Sequence, residues 1–370
     1  MGKTQADSKV VERRLASLDF FRGITMFLLV AEGALVYESL LVPELEGTWI
    51  SAVATQFTHH PWNGLRPWDL VQPFFMFIVG VAMPFSFTRR WERGDNYADT
   101  FRHAAVRALV LLGLGVGLYI VAAGHMVFEL WNVLAQLSFT YFLAFLLMRR
   151  SIRAQLLWTV GLLVLTELLY RFWPVAGFDQ PFTPEHNFGS WMDMLLMGKL
   201  SGGHWVAVNA VPTAAHTIWG VLAGYLLMSE RTSAEKLKIL FIAGAIGLVV
   251  GYGLNPVTPI IKRICTTSFV IVTGGWCLIS LALSYWIIDV KGKRRWAQFA
   301  IVFGMNPLFI YLFSHLGGND WFTEIVHPFT EWILGWGGHV LVGFFTALVV
   351  LWMDWYLVNW LFKRRIFLRI

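Results

Sequence analysis

Charged residues are scarce in this chain of 370 residues: Asp, Glu, Lys and Arg together make up 14%, against roughly 25% in an ordinary soluble domain. Hydrophobic residues account for 57%, and they come in runs of about twenty, the length that crosses a hydrocarbon core of roughly 30 Å. This composition excludes a water-soluble globular fold. It predicts an all-α, polytopic membrane helix bundle.

Cysteine is nearly absent as well. Cys265 and Cys277 are the two cysteines of the chain, and their spacing indicates neither a disulfide framework nor a metal site. The sequence has no Gly-x-Ser-x-Gly elbow, no Walker pattern and no glycine-rich phosphate loop before a helix. These absences argue against a Ser/His/Asp hydrolase and a P-loop enzyme, and we expect no bound metal.

The N-terminal residues 1–17 carry six charged side chains, and no small-residue cleavage site follows the first apolar run. We therefore predict a cytoplasmic tail here and no removable signal peptide. The formal net charge of +6 is distributed between the apolar runs and does not follow one face. This favours membrane topology as its cause and argues against nucleic-acid binding.

The apolar runs predict about ten transmembrane helices, so that both termini lie on one side of the membrane. The predicted spans are 19–41, 68–88, 104–124, 129–148, 154–173, 206–228, 238–254, 268–289, 297–315 and 338–362. Their connectors form two alternating sets, one with 22 Lys and Arg residues and the other with five. Because basic connectors stay in the cytoplasm, we predict that both termini are cytoplasmic.

Three connectors of the opposite side are long and rich in Trp, His, Asn, Gly and Pro. They cover residues 43–67, 174–205 and 317–337. Large connectors on one side of a scaffold usually build its site. No internal repeat or low-complexity tract is visible, so residues 1–370 are interpreted as a single transmembrane domain.

The first predicted span contains three ionisable side chains. Asp19 and Arg22 are three residues apart, on one helical face where they can form an ion pair; Arg22 could equally receive a phosphate on the cytoplasmic side. Glu32 lies about ten residues deeper. An ionisable group at that depth is costly and indicates a functional residue.

The strongest local signal is the segment 58–80. His59 and His60 precede a Pro-Trp-Asn-Gly turn that contains Trp62 and Asn63, and Asp69 follows in the first turn of the next span. A histidine at such a turn can take a proton near neutral pH, whereas Asp69 could simply begin a helix. Adjacent histidines point in different directions, so the pair does not predict a metal site.

Further polar side chains lie inside or just beyond the later spans. They are Asn209, His216, Asn306, Tyr311, His315, Asn319 and Asp320. The Asn306-Pro307 pair interrupts the ninth span, where it either kinks the helix or frees a carbonyl for a neighbour or ligand. His216 is alone on an apolar helix, which is typical of a buried core histidine.

Four sequence blocks resemble the heparan-α-glucosaminide N-acetyltransferase family and its bacterial relatives. They are Ser-Leu-Asp-Phe-Phe-Arg-Gly (17–23), the segment from His-His-Pro-Trp-Asn-Gly to Phe-Ile-Val-Gly (59–80), Thr-Ser-Phe-Val-Ile-Val-Thr-Gly-Gly-Trp (267–276) and Phe-Gly-Met-Asn-Pro-Leu-Phe-Ile-Tyr (303–311). The resemblance implies a multi-pass acyltransferase of the bacterial inner membrane. Such an enzyme would take acetyl from cytoplasmic acetyl-CoA and deliver it to an amino sugar or glycan on the extracytoplasmic side.

The resemblance also implies roles for single residues. The family's essential histidine maps to His59, as a general base or a transient acetyl carrier, and His60 is the variable position. An asparagine that the family has late in the first span is missing, and Glu32 stands there, where it would orient His59 or act as a base. We expect Asp69 to join them as a catalytic residue. The predicted substrate contacts are Asp19, Arg22, His60, Trp62, Asn63, Asn306 and His315.

Two other classes of function fit the same residues. Acidic groups near the midplane and proline-broken helices also occur in transporters, so transport of N-acetylglucosamine or a related saccharide is the alternative. A scaffold for envelope glycans is the third class, and it would not depend on His59. The aromatic spans are compatible with a homodimer.

Overall fold

The computed structural model describes residues 15–368 and Ile370; most of the predicted tail 1–17 lies outside the described residues. Within them the chain is helical, with 14 α-helices, six short 3-10 or π segments and no strand. The helices are α1 (Ala16–Gly33), α2 (Trp49–Thr55), α3 (Val71–Glu92), α4 (Tyr97–Ala123), α5 (Val133–Leu147), α6 (Ile152–Phe172), α7 (Phe188–Met197), α8 (Ala210–Met228), α9 (Ser233–Leu254), α10 (Thr267–Tyr285), α11 (Gln298–Met305), α12 (Pro307–His315), α13 (Gly318–Leu334) and α14 (His339–Lys363).

Seven helical stretches in this part of the chain are long and apolar enough to cross a bilayer, which supports an integral membrane protein. They are Pro67–Glu92, Tyr97–Ala123, Ile152–Phe172, Ala207–Met228, Ser233–Leu254, Thr267–Val290 and His339–Lys363. Each overlaps one of the ten predicted spans. The all-helical class is therefore confirmed.

The other three predicted spans correspond to shorter helices, so the count of ten is not confirmed. The predicted span 19–41 corresponds to α1, which ends at Gly33. The 18 residues of this helix include three ionisable side chains. The span 129–148 becomes α5, with 15 residues. The span 297–315 is divided at Asn306 because Pro307 has no N–H to continue the ladder and restricts the residue before it.

The chain divides into two compact units. The middle unit contains His60–Leu65 and Gln72–Trp286, and the terminal unit contains Ala16–His59, Arg66–Val71 and Ile287–Ile370. The middle unit is thus one long stretch of chain, Gln72–Trp286, together with the short turn His60–Leu65. The terminal unit contains α1 and α2 and the last four described helices, α11 to α14.

Two glycines allow α3 and α8 to cross closely in the middle unit. A Cβ added to Gly80 would overlap the carbonyl oxygen of Thr217, and one added to Gly220 would overlap that of Phe77. Small residues at such crossings allow the close backbone approach on which packing in membranes depends. The same arrangement joins α1 to α11 in the terminal unit, at Gly23 and Gly304.

The buried face of α14 in the terminal unit includes one acidic residue. The face follows a helical repeat and consists of Val342, Thr346, Ala347, Val350, Asp354, Val358 and Leu361. Asp354 is fully buried, and neither of its carboxylate oxygens has a hydrogen-bond partner among the described residues. Leaving a buried polar group unpaired costs about 1–3 kcal/mol.

We therefore expect Asp354→Leu to raise the thermal unfolding temperature of the purified protein. Thr346→Val is the matched control on the same face; it should lower that temperature, because the Thr346 hydroxyl is hydrogen-bonded to Thr330 at 2.5 Å and to the carbonyl of Val342 at 2.8 Å. A lower unfolding temperature for Asp354→Leu would show that the carboxylate stabilises the fold.

Candidate active site

His59 and Asp69 form a hydrogen-bonded pair in the terminal unit. His59 Nδ1 lies 3.2 Å from Asp69 Oδ1; the Asp69 side chain is fully buried, whereas 34% of the His59 side chain is exposed. Since a carboxylate only accepts, Nδ1 donates the proton and Nε2 becomes the basic ring nitrogen. The arrangement thus orients a reachable histidine through a buried carboxylate.

Local structure explains why Asp69 can hold the histidine. Asp69 lies in the 3-10 turn Pro67–Leu70, which leads directly into α3, and its Oδ2 accepts the backbone N–H of Arg66 at 2.9 Å. One carboxylate oxygen therefore caps the turn while the other contacts His59. Asp69 is therefore a helix-start residue, one of the two alternatives that the sequence left open, and it also contacts His59; its catalytic role stays a prediction.

Arg66 fixes the other side of the histidine segment. Its Nη1 donates to Thr58 Oγ1 at 2.7 Å and to the backbone carbonyl of His59 at 3.0 Å. In the sequence, Arg66 was considered only as one of the basic residues that set the membrane topology. Its position inside the motif, three residues before Asp69, was the signal that could have identified it.

Aromatic rings pack beside this pair. The Trp68 ring centroid lies 6.2 Å from that of His59 and 5.7 Å from that of Tyr37, which stacks on Phe57 at 4.6 Å. The Trp68 backbone N–H also donates to the carbonyl of Gln56 at 3.2 Å. Tyr37 and Trp68 were not predicted as site residues, because an aromatic residue beside a membrane span ordinarily lies at the membrane–water interface.

Glu32 lies in the last turn of α1. It interacts electrostatically with Tyr37, whose hydroxyl donates to the carbonyl of Leu28 at 3.3 Å. Tyr37 in turn contacts Trp68, beside His59. The terminal unit therefore contains all three residues predicted to be catalytic, and one aromatic side chain connects Glu32 to the ring packed against His59.

The predicted contacts Asp19 and Arg22 form an ion pair near the other end of α1. Arg22 Nη2 lies 2.5 Å from Asp19 Oδ1, and Arg22 Nε donates to the carbonyl of Gly304 at 2.5 Å. The guanidinium thus joins α1 to the C-terminal turn of α11. Its side chain is 23% exposed, so part of it still reaches the surface.

Asn306 and His315 lie at opposite ends of α12. Asn306 is buried and uses both ends of its amide on the C-terminal segment: Nδ2 donates to the carbonyl of Ile366 at 3.2 Å, and Oδ1 accepts the N–H of Leu368 at 3.0 Å. His315 stacks on Tyr311 at 4.1 Å, with Nδ1 3.0 Å from the Tyr311 carbonyl oxygen. The structure therefore separates these two predicted contacts.

The rest of the histidine motif belongs to the middle unit. The Trp62 indole donates to the carbonyl of Phe182 at 2.7 Å, Asn63 pairs with Ile261 as an isolated bridge, and the N–H of Gly64 donates to the carbonyl of Ile260 at 2.8 Å. Gly64 has a φ of +153°, and a Cβ there would overlap the ring of His60. The predicted contacts His60, Trp62 and Asn63 thus share one turn.

Arg263 ties this turn to a neighbouring connector. Its Nε donates to the carbonyl of Pro61 at 3.2 Å, its Nη1 donates to the carbonyl of Gly203, and its guanidinium lies 4.9 Å from the ring centroid of Trp205. Three segments that are distant in sequence therefore meet at one arginine.

Asp193, in α7 of the middle unit, was not identified from sequence. Its Oδ2 accepts the indole N–H of Trp131 at 2.7 Å, and its Oδ1 accepts the N–H of Ala207 at 2.9 Å. Burial raises the pKa of Asp193 to about 6, although both hydrogen bonds act in the opposite direction. The desolvation of the carboxylate outweighs its two donors.

A raised pKa makes stability depend on pH in a defined direction. Because the folded protein binds this proton more tightly than the unfolded chain, the stabilising contribution is complete below about pH 4 and is lost as pH rises to about 6. We expect the unfolding temperature of the wild type relative to Asp193→Asn to fall across that window and stay level above it. A difference independent of pH would contradict the titration of Asp193. The measurement is a thermal scan in detergent from pH 4 to 7.5.

No cluster of three or more His, Cys, Asp or Glu residues that could hold a metal ion occurs in the part of the chain that the structure describes. The chemistry available at the pair is proton transfer or nucleophilic attack by His59, with Asp69 stabilising the imidazolium. Both fit acyl transfer.

Comparisons with known proteins agree with the sequence blocks. The family "Domain of unknown function (DUF5009)" matches residues 14–176. The chain is 24% identical to heparan-alpha-glucosaminide N-acetyltransferase of Homo sapiens, over 81% of this chain and 52% of that protein. It is also 24% identical to the Mus musculus protein of the same name, over 81% and 53%.

The chain spans about half the length of these curated relatives. The matches confirm the resemblance that the four sequence blocks indicated: over most of its length, this chain is similar to the heparan-alpha-glucosaminide N-acetyltransferases.

Proposed function

We propose that this protein is a membrane acetyltransferase that moves an acetyl group from cytoplasmic acetyl-CoA to an amino sugar or glycan on the extracytoplasmic side. The similarity to named N-acetyltransferases supports the reaction class. The observation that carries the proposal is the partly exposed His59, whose Nδ1 donates to the buried carboxylate of Asp69.

The proposed reaction forms a C–N bond and breaks the thioester C–S bond, and one proton passes from the acceptor nitrogen to the CoA sulfur. The acceptor nitrogen attacks the thioester carbonyl carbon while His59 Nε2 takes its proton, the C–S bond breaks, and the CoA thiolate leaves and is protonated. In the second route, Nε2 attacks the thioester first and the CoA thiolate leaves. The acceptor nitrogen then attacks the acetyl-imidazole, the bond from the acetyl carbon to Nε2 breaks, and the proton of the acceptor nitrogen ends on the CoA thiolate. Asp69 stabilises the positive imidazole ring in both routes.

Charge supports the proposed sidedness. The connector set with 22 basic residues would face the cytoplasm together with both termini, where it attracts the phosphates of CoA. We assign the partly exposed Arg22, held by Asp19, to the donor side. We assign His60, Trp62 and Asn63 to the acceptor, because the predicted topology puts their connector on the extracytoplasmic side. The location that fits this scheme is a bacterial inner membrane.

The direct test is acetyl transfer by the purified protein in nanodiscs. Acetyl-CoA is supplied with and without glucosamine; free CoA thiol is measured, and the sugar product is identified by mass spectrometry. We expect thiol release that depends on glucosamine and yields its N-acetylated form. A protein that neither binds acetyl-CoA nor releases thiol with any amino sugar would disprove the proposal.

Transport of N-acetylglucosamine or a related saccharide is the second candidate. The interruption between α11 and α12 at Asn306 favours it, since discontinuous membrane helices commonly form transporter sites. Uptake of labelled N-acetylglucosamine into proteoliposomes, unaffected by His59→Ala, would support transport over acetyl transfer.

A further inference from the structure

Asn319 carries a buried polar atom without a partner. It lies in the first turn of α13 and is 3% exposed. Its Nδ2 donates to Ser314 Oγ at 3.2 Å, whereas its Oδ1 has no hydrogen-bond partner among the described residues. The Ser314 hydroxyl can donate as well as accept, so turning the amide over would exchange the two atoms and still leave one unpaired.

The Asn319 side chain lies against the end of α1. A Cβ added to Gly33 would overlap Ser314 Oγ and would lie 2.7 Å from Asn319 Nδ2. Glu32 directly precedes Gly33, and Tyr37, four residues later, packs against Trp68 beside His59. All of these residues belong to the terminal unit. The amide therefore lies at the end of α1 that leads to the candidate catalytic pair.

We propose that Asn319 is a binding residue for the acceptor, whose hydroxyl or amino group pairs with the free end of this amide. The inference rests on the proposed function and adds a contact for its substrate. A sugar hydroxyl both donates and accepts, so it satisfies the amide in either orientation. Leaving one end of a buried amide unpaired is unfavourable, and a bound hydroxyl would offset that cost.

An amide of the pantetheine arm of acetyl-CoA offers the same hydrogen-bonding chemistry. The length of α1 favours the acceptor. Arg22, assigned to the donor phosphates, is eleven residues before Gly33 in the same helix, which corresponds to roughly 16 Å at 1.5 Å per residue. Asn319 contacts the end distant from Arg22, the end followed by the aromatic connector that holds Tyr37.

The test compares Asn319→Leu with the wild type. We expect the KM for glucosamine to rise about five- to tenfold, as for the loss of one hydrogen bond, while the KM for acetyl-CoA is unchanged. The ligand-free unfolding temperature should rise, because the unpaired atom is removed, and the increase that glucosamine causes in the wild type should disappear. Asn319→Ala is made in parallel in case leucine does not fit beside Gly33.

Thr330→Val is the control from the same helix. It removes a buried hydroxyl paired with Thr346 and should lower the unfolding temperature with both KM values intact. An increase in the KM for acetyl-CoA alone would assign the amide to pantetheine and overturn the inference, as would an unchanged KM for glucosamine. Stabilisation of the wild type by glucosamine without thiol release would refute the acetyltransferase, while the Asn319→Leu comparison would still decide this contact. No stabilisation and no turnover would overturn both.

Discussion

His59→Ala should lower glucosamine-dependent release of CoA thiol to background, a loss of about 100- to 10,000-fold if His59 acts as the base. The structural reason is the 3.2 Å contact that directs Nδ1 to Asp69 and makes Nε2 the reactive nitrogen. Alanine removes that nitrogen together with one of the donors to the buried carboxylate. The rate of thiol release is measured at saturating acetyl-CoA and glucosamine.

His327→Ala is the matched control, because His327 is an exposed histidine of α13 in the same unit. It should keep the wild-type rate. Incubation with acetyl-CoA alone, followed by mass spectrometry of peptides, separates the two routes: an acetyl group on His59 supports the carrier route, and an unmodified peptide supports direct transfer. If His59→Ala retains more than half of the wild-type rate, His59 is not the catalytic centre.

Gly80→Val should prevent accumulation of folded protein. Its first side-chain carbon would overlap the backbone carbonyl of Thr217 in α8, and a backbone atom of a packed helix cannot rotate away as a side chain can. We expect a loss of more than about 3 kcal/mol, the upper range for overpacking. The measurement is the yield of monodisperse protein on size exclusion in mild detergent.

Gly113→Val in α4 provides the comparison, since a Cβ at Gly113 meets no atom within 4 Å. This variant should elute as the wild type does and unfold at a similar temperature. Equal yields of the two variants would mean that the α3–α8 crossing tolerates a wider separation than the structure has.

Sequence patterning identified the helical membrane class and the approximate position of most spans. These properties depend on local composition, because every apolar run must bury its backbone polar groups in a helix wherever it lies in the bilayer. The predicted count of ten is not confirmed, because three of the predicted spans are shorter helices in the structure. Glu32 adds a third ionisable group to α1, and Pro307 ends α11 at the residue before it.

The site was only partly accessible from sequence. His59 and Asp69 were both selected, and the structure shows Asp69 hydrogen-bonded to Nδ1. That Glu32 orients His59 or acts as a base stays a prediction. Arg66 and Trp68 were overlooked although both lie inside the motif. Their contacts with the histidine segment depend on how the irregular connector after α2 folds back. No hydrophobic periodicity in the sequence predicts that conformation.

The sequence by itself determined that this is a helical membrane protein, and it predicts a cytoplasmic side for the basic connectors and reactive side chains in residues 58–80. Those properties follow from hydropathy, charge and residue type, each of which acts locally. Tertiary structure alone decided that Asp69 holds His59 and that Asn319 reaches the end of α1. Side chains ten or nearly three hundred residues apart meet only when packed helices bring them together, and no local pattern encodes that distance.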